Sequence, residues 1–409
     1  MSSAAALFAT SVLTSVLGFV YWAVAARVFR TVEVGESSTA IAAMNVIAPL
    51  TLLGFGTLLM TELPASRAGR PALVATAAAA IGVFAGIVAL GAAVTLPGSF
   101  LGLPGLGREF AITALFVAAV ATQSVGLLVD QALLSLTGGS IQLARNAIQS
   151  VIKLVSLIVF GVWLSRDGSV VIFASWFGAN LLSILAVGLT LIRRNRTAVR
   201  SFRPSLSLLG GLKFSAARHH ALNVALLIPF FAMPIVANVN LGSERAAYAY
   251  AAWSVAGFVF NLPLAMVTAL FASAMRDRGA FAAQFRVSLV SSLFFSAAAL
   301  VGIIVVGHWV LSVFGPAYAA NGRVALIMMC LGGLGLVIKD HHVTLARFRG
   351  TVGSEAKLMA VLGVLELGGA ALGAHYGGLV GLSVGWLIMV WLGSLGCLPQ
   401  VCRAFRAAE

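Results

Sequence analysis

Two charged residues stand deep inside runs of apolar sequence. Lys153 lies about ten residues into a run that starts near Ala144, and Glu366 lies about ten residues into another. At 1.5 Å of rise per helical residue, each is roughly 15 Å deep, half of a ~30 Å hydrocarbon layer. A charge at that depth costs on the order of 2.5–3.5 kcal/mol even on lenient insertion scales, so each side chain must face protein or water. Two readings stay open. The pair holds helices together through an ion pair or carbonyl contacts, or Lys153 is an anion contact and Glu366 a protonation or cation site.

Further charges cluster at the ends of apolar runs. Arg218, His219 and His220 either anchor a helix at the interface or receive a phosphate. Lys339, Asp340, His341 and His342 form a second cluster, for which a local ion pair with a snorkelling Lys339 is expected. Adjacent histidines lie about 100° apart on a helix and make no metal site without further ligands. Arg27 and Arg30, beside Glu33 and Glu36, are solvated loop charges or an outer gate contact, and Asp130 is expected to be a structural partner of Arg145. The candidate substrate contacts are thus Lys153, Arg218, His219, Arg27 and Lys339, and the candidate proton or coupling-ion sites are Glu366, Asp340 and Asp130. The chain has no Ser–His–Asp order, zinc spacing, P-loop or dinucleotide fingerprint, so no catalytic residue, metal or cofactor is expected.

The elements that carry these residues follow from composition. Hydrophobic residues make up 60% of the 409, charged residues only 9%, and mean hydropathy is +1.04. A soluble domain needs roughly 25% charged residues, so this is an integral membrane protein. The net charge of +14 is scattered over short loops with neither a basic stripe nor interleaved aromatics, which argues against a nucleic-acid partner. Cys330, Cys397 and Cys402 lie in or beside apolar runs and imply neither disulfides nor zinc.

Twelve segments reach the spanning length of about 20 residues: 5–26, 37–60, 72–95, 110–129, 143–165, 170–192, 220–239, 245–272, 287–307, 324–345, 356–375 and 378–400. The first has a cleavage-like Ala23-x-Ala25, but no basic residue precedes its long apolar run, so it reads as a spanning helix and not a removed signal. Between the sixth and seventh lies a stretch with Arg193, Arg194, Arg196, Arg200, Arg203, Lys213 and Arg218 and no acid. It reads as a cytoplasmic linker, 193–219, between an N-terminal bundle, 1–192, and a C-terminal bundle, 220–409.

Of the 26 basic residues, Arg27, Arg30, Arg108, Arg166, Arg245 and Arg323 fall in loops on one side, Lys153 and Lys339 fall inside helices, and the remaining 18 fall on the other side. Lys and Arg are retained in the cytoplasm, so both termini are expected there in a multi-pass cell-membrane protein. Tyr21, Trp22, Trp163, Trp176, Tyr248, Tyr250, Trp309, Tyr318 and Tyr376 fall near the outer boundary, as an aromatic belt would. Outer loops are short. The longest, from Gly307 to Arg323, is semi-apolar, and no outer domain remains to house a polymerase or ligase.

The halves echo each other. Asp130, Arg145, Lys153 and Pro49 recur, each about 210 residues on, as Asp340, Lys357, Glu366 and Pro263. An even number of helices per half makes this a parallel repeat, with two six-helix lobes facing across a central cavity. The expected fold is an all-α polytopic membrane protein of two pseudo-symmetric six-helix bundles.

Three stretches carry a resemblance. YWAVAARVFRTVEVGESSTAIAAMNVIAPLTLLGFGTLL, continuing to Leu63-Pro64, resembles the first two helices of polysaccharide flippases. DQALLSLTGGSIQLARNAIQSVIKL resembles their fourth-to-fifth helix stretch, and ERAAYAYAAWSVAGFVFNLPLAMVTALFASA their eighth helix. Thr61-Glu62 departs from the pattern, where a basic residue is expected. These flippases belong to the multidrug/oligosaccharidyl-lipid/polysaccharide exporter superfamily. The resemblance implies a V-shaped pair of six-helix bundles working by alternating access on a polyprenyl-diphosphate-linked oligosaccharide. The partners implied are that lipid-linked oligosaccharide, membrane lipids and polysaccharide polymerase machinery.

Two other classes compete. A cation-coupled small-molecule or multidrug exporter would use Glu366. A major facilitator carrier would show an Asp in the loop after the second helix, which reads TELPASRAGRP without one. A membrane acyl- or glycosyltransferase would need His341 or His342 in a deep polar centre.

Overall fold

A computed structural model describes residues 3–56, 59, 63, 70–137, 139–163, 167–194, 217–274, 277 and 279–406. The described elements are helical: α1 (Ser3–Val28), α2 (Thr31–Thr51), α3 (Arg70–Thr95), the short α4 (Gly98–Leu101), α5 (Phe110–Thr137), α6 (Ser140–Trp163), α7 (Gly168–Arg194), α8 (Ala217–Leu241), α9 (Ser243–Ala274), α10 (Phe281–Ser312), α11 (Pro316–Arg349) and α12 (Val352–Arg406). Among the described residues, nine helices are long and apolar enough to cross a membrane. α12 runs for 55 residues but leaves helical geometry at Gly377 and Gly378, so it comprises two arms. The basic linker falls largely on residues 195–216, and Thr61-Glu62 likewise lies outside the described residues.

The chain divides into two compact units, Met1–Val224 and Ala225–Glu409. In the first, α5 is the hub and packs against α2, α3, α6 and α7, while α1 packs on α6. In the second, α11 is the hub and packs against α9, α10 and α12. Helices in lipid gain little from apolar burial against one another, so close backbone approach and internal polar contacts decide where they meet. The second unit shows this. Gly332 and Gly333 on α11 seat the rings of Trp386 and Phe260, and Trp386 meets Trp253 edge-on at 5.0 Å. The two arms of α12 touch backbone to backbone, Gly373 against Gly381 and Gly369 against Gly385.

Several expectations are corrected. The loop expected from Gly307 to Arg323 is mostly helix, because α10 continues to Ser312 and α11 begins at Pro316. Gly315 turns the chain with φ +147, a conformation that suits a residue without Cβ. Pro316 then opens the next helix, where its missing N–H has no partner to lose. The aromatic belt is also incomplete. Trp309 and Tyr376 are 63% and 85% exposed, but Tyr21, Trp22, Tyr248 and Tyr318 are buried core residues.

The glycine contacts in α12 predict a contrast between neighbours. Gly373→Leu should lower the melting temperature of the purified protein by an amount equivalent to about 1–3 kcal/mol of overpacking. Gly368→Ala, where an added Cβ meets open space, should leave it unchanged. Equal melting of the two variants would contradict this packing.

Candidate functional site

Polar side chains in the first unit converge on Arg145. Its Nε and Nη2 donate to Asp130 Oδ1 and Oδ2 at 2.7 and 2.5 Å, joining α6 to α5. Nη1 donates to Asn180 Oδ1 and to Ser183 Oγ, both at 3.1 Å on α7, and Nη2 also donates to Asn146 Oδ1 at 3.0 Å. A guanidinium has five N–H donors, and here all five have acceptors. The network continues through Asn180 Nδ2 to Gln123 Oε1 (3.0 Å) and Gln123 Nε2 to Asn45 Oδ1 (3.1 Å), reaching α2. Asp130 is thus the partner of Arg145. The arrangement neutralises its charge and leaves the guanidinium no donor for a ligand.

Lys153, two turns further along α6, is different. It sits near the middle of the helix and is only 7% exposed. Its Nζ lies 3.9 Å from the centre of the Trp176 ring and 4.8 Å from that of Tyr21. Tyr21 is held in turn, its hydroxyl 3.0 Å from the Ile172 carbonyl and 2.7 Å from Ser175 Oγ. Trp22 completes the group, edge-on to Tyr21 at 5.4 Å. Among the described residues no carboxylate forms a salt bridge with Lys153. A desolvated cation–π contact is worth about 2 kcal/mol, against an effective desolvation cost of several kcal/mol per buried ion. The rings hold the ammonium in place without neutralising it, so an anion reaching Nζ would gain a full charge-assisted contact.

The second unit places its charges along the α11–α12 seam. Lys339 is 7% exposed and forms an ion pair with Glu366. This corrects the expectation of a snorkelling Lys339 beside a local partner. Helical side chains lean toward the N-terminus of their helix, which carries Lys339 away from the turn and Glu366 toward it, so the two meet across the seam. Asp340 lies within electrostatic reach of Lys339, Arg347 and Glu366. The adjacent histidines point apart. His341 is held on both ring nitrogens, by Val337 O at Nδ1 (2.8 Å) and Ser288 Oγ at Nε2 (3.0 Å). Because a carbonyl only accepts, Nδ1 carries the proton and Nε2 accepts from Ser288 in the neutral ring. That occupied ring has no nitrogen left for transferase chemistry. His342 Nε2 faces Glu355 Oε2 at 3.2 Å.

The remaining candidates are dispersed. Arg218 and His219 are exposed at the start of α8, and Arg27 is exposed at the end of α1. Near Arg27, Glu33 accepts from the backbone N–H of Arg30 (2.8 Å) and of Gly168 (3.4 Å), and Ser169 hydrogen-bonds Glu36. These acids therefore tie α2 to the start of α7. The aromatic shelf under Lys153, the amide chain beyond Arg145 and the role of Glu355 went unread in the sequence. Glu355 was legible, because it precedes Glu366 by 11 residues, about three turns, and so shares its face.

No protein-family model and no curated relative matches the sequence. Solved structures do. An inward-facing multidrug resistance MATE family transporter of the MOP superfamily superposes with a TM-score of 0.73 at 16% identity, covering 95% of each chain. The lipid II flippase MurJ, in an inward closed conformation, gives 0.69 at 12% identity over 98% of this chain and 89% of that one. A MOP superfamily transporter from Pyrococcus furiosus Vc1, described as having a binding pocket of reverse polarity that suggests a different function, gives 0.68 at 16% identity over 100% and 97%. The chain shares the multi-pass membrane fold of these MOP superfamily transporters and of the lipid II flippase.

The two buried cations should respond oppositely to removal. Arg145→Gln should destabilise the protein by about 3–5 kcal/mol, because Asp130 is left buried and unpaired. Lys153→Met should melt at or above the wild-type temperature, since no buried carboxylate is orphaned. Equal destabilisation in thermal melts would show that Lys153 is a structural residue like Arg145.

Proposed function

We propose that this protein is a flippase that moves a polyprenyl-diphosphate-linked oligosaccharide from the inner to the outer leaflet by alternating access, for polysaccharide biosynthesis. The observation that carries the reading is Lys153, a mid-helix cation on an aromatic shelf with no salt-bridge partner among the described residues. A diphosphate offers such a cation the acceptor it lacks, and aromatic faces beside it suit a sugar or prenyl chain. The likeness to a lipid II flippase supports a lipid-linked substrate. Exposed Arg218 and His219, at the start of α8, suit a first contact with the headgroup.

A cation-coupled multidrug exporter is the second reading, and the likeness to multidrug MATE transporters supports it equally. Within the helices, however, Asp130 and Glu366 are each neutralised by a basic partner. That leaves neither carboxylate free to receive a cationic drug.

Vesicles reconstituted with the purified protein and a fluorescent polyprenyl diphosphate distinguish these readings. Wild type should move the probe between leaflets, and Lys153→Met should slow it about tenfold or more, the worth of one charge-assisted hydrogen bond. Lys153→Arg should keep part of the rate. Ethidium transport that is equal in wild type and Lys153→Met, with no movement of the diphosphate, would establish the exporter instead.

A further inference from the structure

Where α10 begins and α12 ends, the second unit holds a guanidinium that the transport reading has not used. Arg286, part-buried in the second turn of α10, donates through Nη2 to the Phe405 carbonyl of α12 at 3.2 Å. Its guanidinium carbon also lies 5.1 Å from the centre of the Phe405 ring. That carbonyl is among the last four of α12, which have no acceptor role left within the helix, so Arg286 caps this helix end. The cap uses one of five N–H donors. Nε is buried and has no hydrogen-bond partner, and no carboxylate among the described residues forms a salt bridge with Arg286. Arg145, by contrast, has an acceptor for every donor.

Further positive charge stands beside it. Arg403 and Arg406 are exposed on the last turns of α12, and neither has a salt bridge among the described residues. Retention of basic residues on one side of a membrane accounts for exposed arginines at a helix end. It does not account for a guanidinium drawn between two helices with its Nε unbonded.

The surface leading away from these charges is apolar. α10 starts at the end where α12 finishes, so residue numbers rise along one and fall along the other from the Arg286–Phe405 contact. Val290 and Leu293 follow Arg286 by four and seven residues, while Cys402, Leu398 and Leu395 precede Arg406 by four, eight and eleven. At these spacings each set shares one face of its helix. Val290, Leu395 and Cys402 are exposed, and Leu293 and Leu398 are partly so. Each helix therefore carries a strip with a cation at its end and apolar side chains beyond it, the polarity of a headgroup and an acyl chain.

We propose that Arg286 and Arg406 bind the phosphate of an anionic phospholipid whose acyl chain lies along Val290, Leu293, Leu398 and Leu395. Nε and an unused Nη of Arg286 form a planar fork that matches two phosphate oxygens, and the Phe405 contacts hold that fork in place. Arg403 and Arg406 disfavour a headgroup that also carries a quaternary ammonium, so the site selects a net negative lipid. A lipid seated there ties the start of α10 to the end of α12. The site does not depend on what the protein transports.

Native mass spectrometry of the full-length protein, titrated in detergent micelles with phosphatidylglycerol or phosphatidylcholine, tests this. Wild type should bind its first phosphatidylglycerol about tenfold more tightly than its first phosphatidylcholine, the worth of one charge-assisted hydrogen bond. Arg286→Gln and Arg406→Gln should each remove most of that preference. Lys357→Gln, which removes an exposed cation from the first arm of α12, should keep it. If Arg286→Gln fails to fold, Arg406→Gln decides alone, because it leaves the cap on α12 intact. Equal affinity for the two lipids in wild type overturns the site, as does a preference that both arginine variants keep. Loss of preference in Lys357→Gln as large as in the arginine variants shows only a generally basic end, and overturns it too. Inorganic phosphate that displaces phosphatidylglycerol at millimolar concentration and stabilises wild type but not Arg286→Gln would assign the site to a soluble anion, against a lipid.

Discussion

A charge inside a bilayer has no water to solvate it, and the interior of this protein is organised by that constraint. Each buried ionic group must find its counter-charge and its hydrogen-bond partners within the chain, or leave a free-energy gap that a ligand can fill. Arg145 meets the constraint completely, with five donors and five acceptors drawn from α5, α6 and α7. Lys339 and Glu366 meet it as a pair across one helical seam. Lys153 does not. It has two aromatic faces and no salt bridge among the described residues, and this difference is what the proposed anion-contact role of Lys153 rests on.

The packing makes such a difference tolerable. The hub helices α5 and α11 each touch several neighbours, and the polar networks run from these hubs. Small residues let backbones approach where the charges do not, as in the glycine contacts between the arms of α12. Rigid, satisfied networks on one set of seams leave a few buried atoms elsewhere without a hydrogen-bond partner among the described residues, notably His342 Nδ1 and Glu355 Oε1.

Much of the fold was legible, because a spanning helix announces itself by length and hydropathy alone. The Asp130–Arg145 pair could also be read, since both residues lie close to one short inter-helix turn. Other features depended on information that hydropathy lacks. The helix ends between Gly307 and Arg323 were hidden because His308, Pro316 and Asn321 lower the local hydropathy, although Pro316 and Gly315 are themselves helix-start signals. Lys339 was expected to pair locally, and only the rotation of α11 against α12 brings it to distant Glu366. Buried Tyr21 and Trp22 looked like interfacial anchors for the same reason, because a position along the membrane normal does not say which way a ring faces. The resemblance in small and aromatic residues pointed to the superfamily whose fold the structure shows, while the substrate stays a matter for the chemistry around Lys153.

The proposed flippase role is tested most directly by leaflet-resolved analysis of lipid-linked glycans in cells depleted of this protein. Intact polyprenyl-diphosphate oligosaccharide should accumulate in the inner leaflet, and re-expression of wild type, but not of Lys153→Met, should clear it. A normal leaflet distribution, accompanied by heightened sensitivity to cationic drugs, would contradict the flippase reading and identify an exporter built on the same fold.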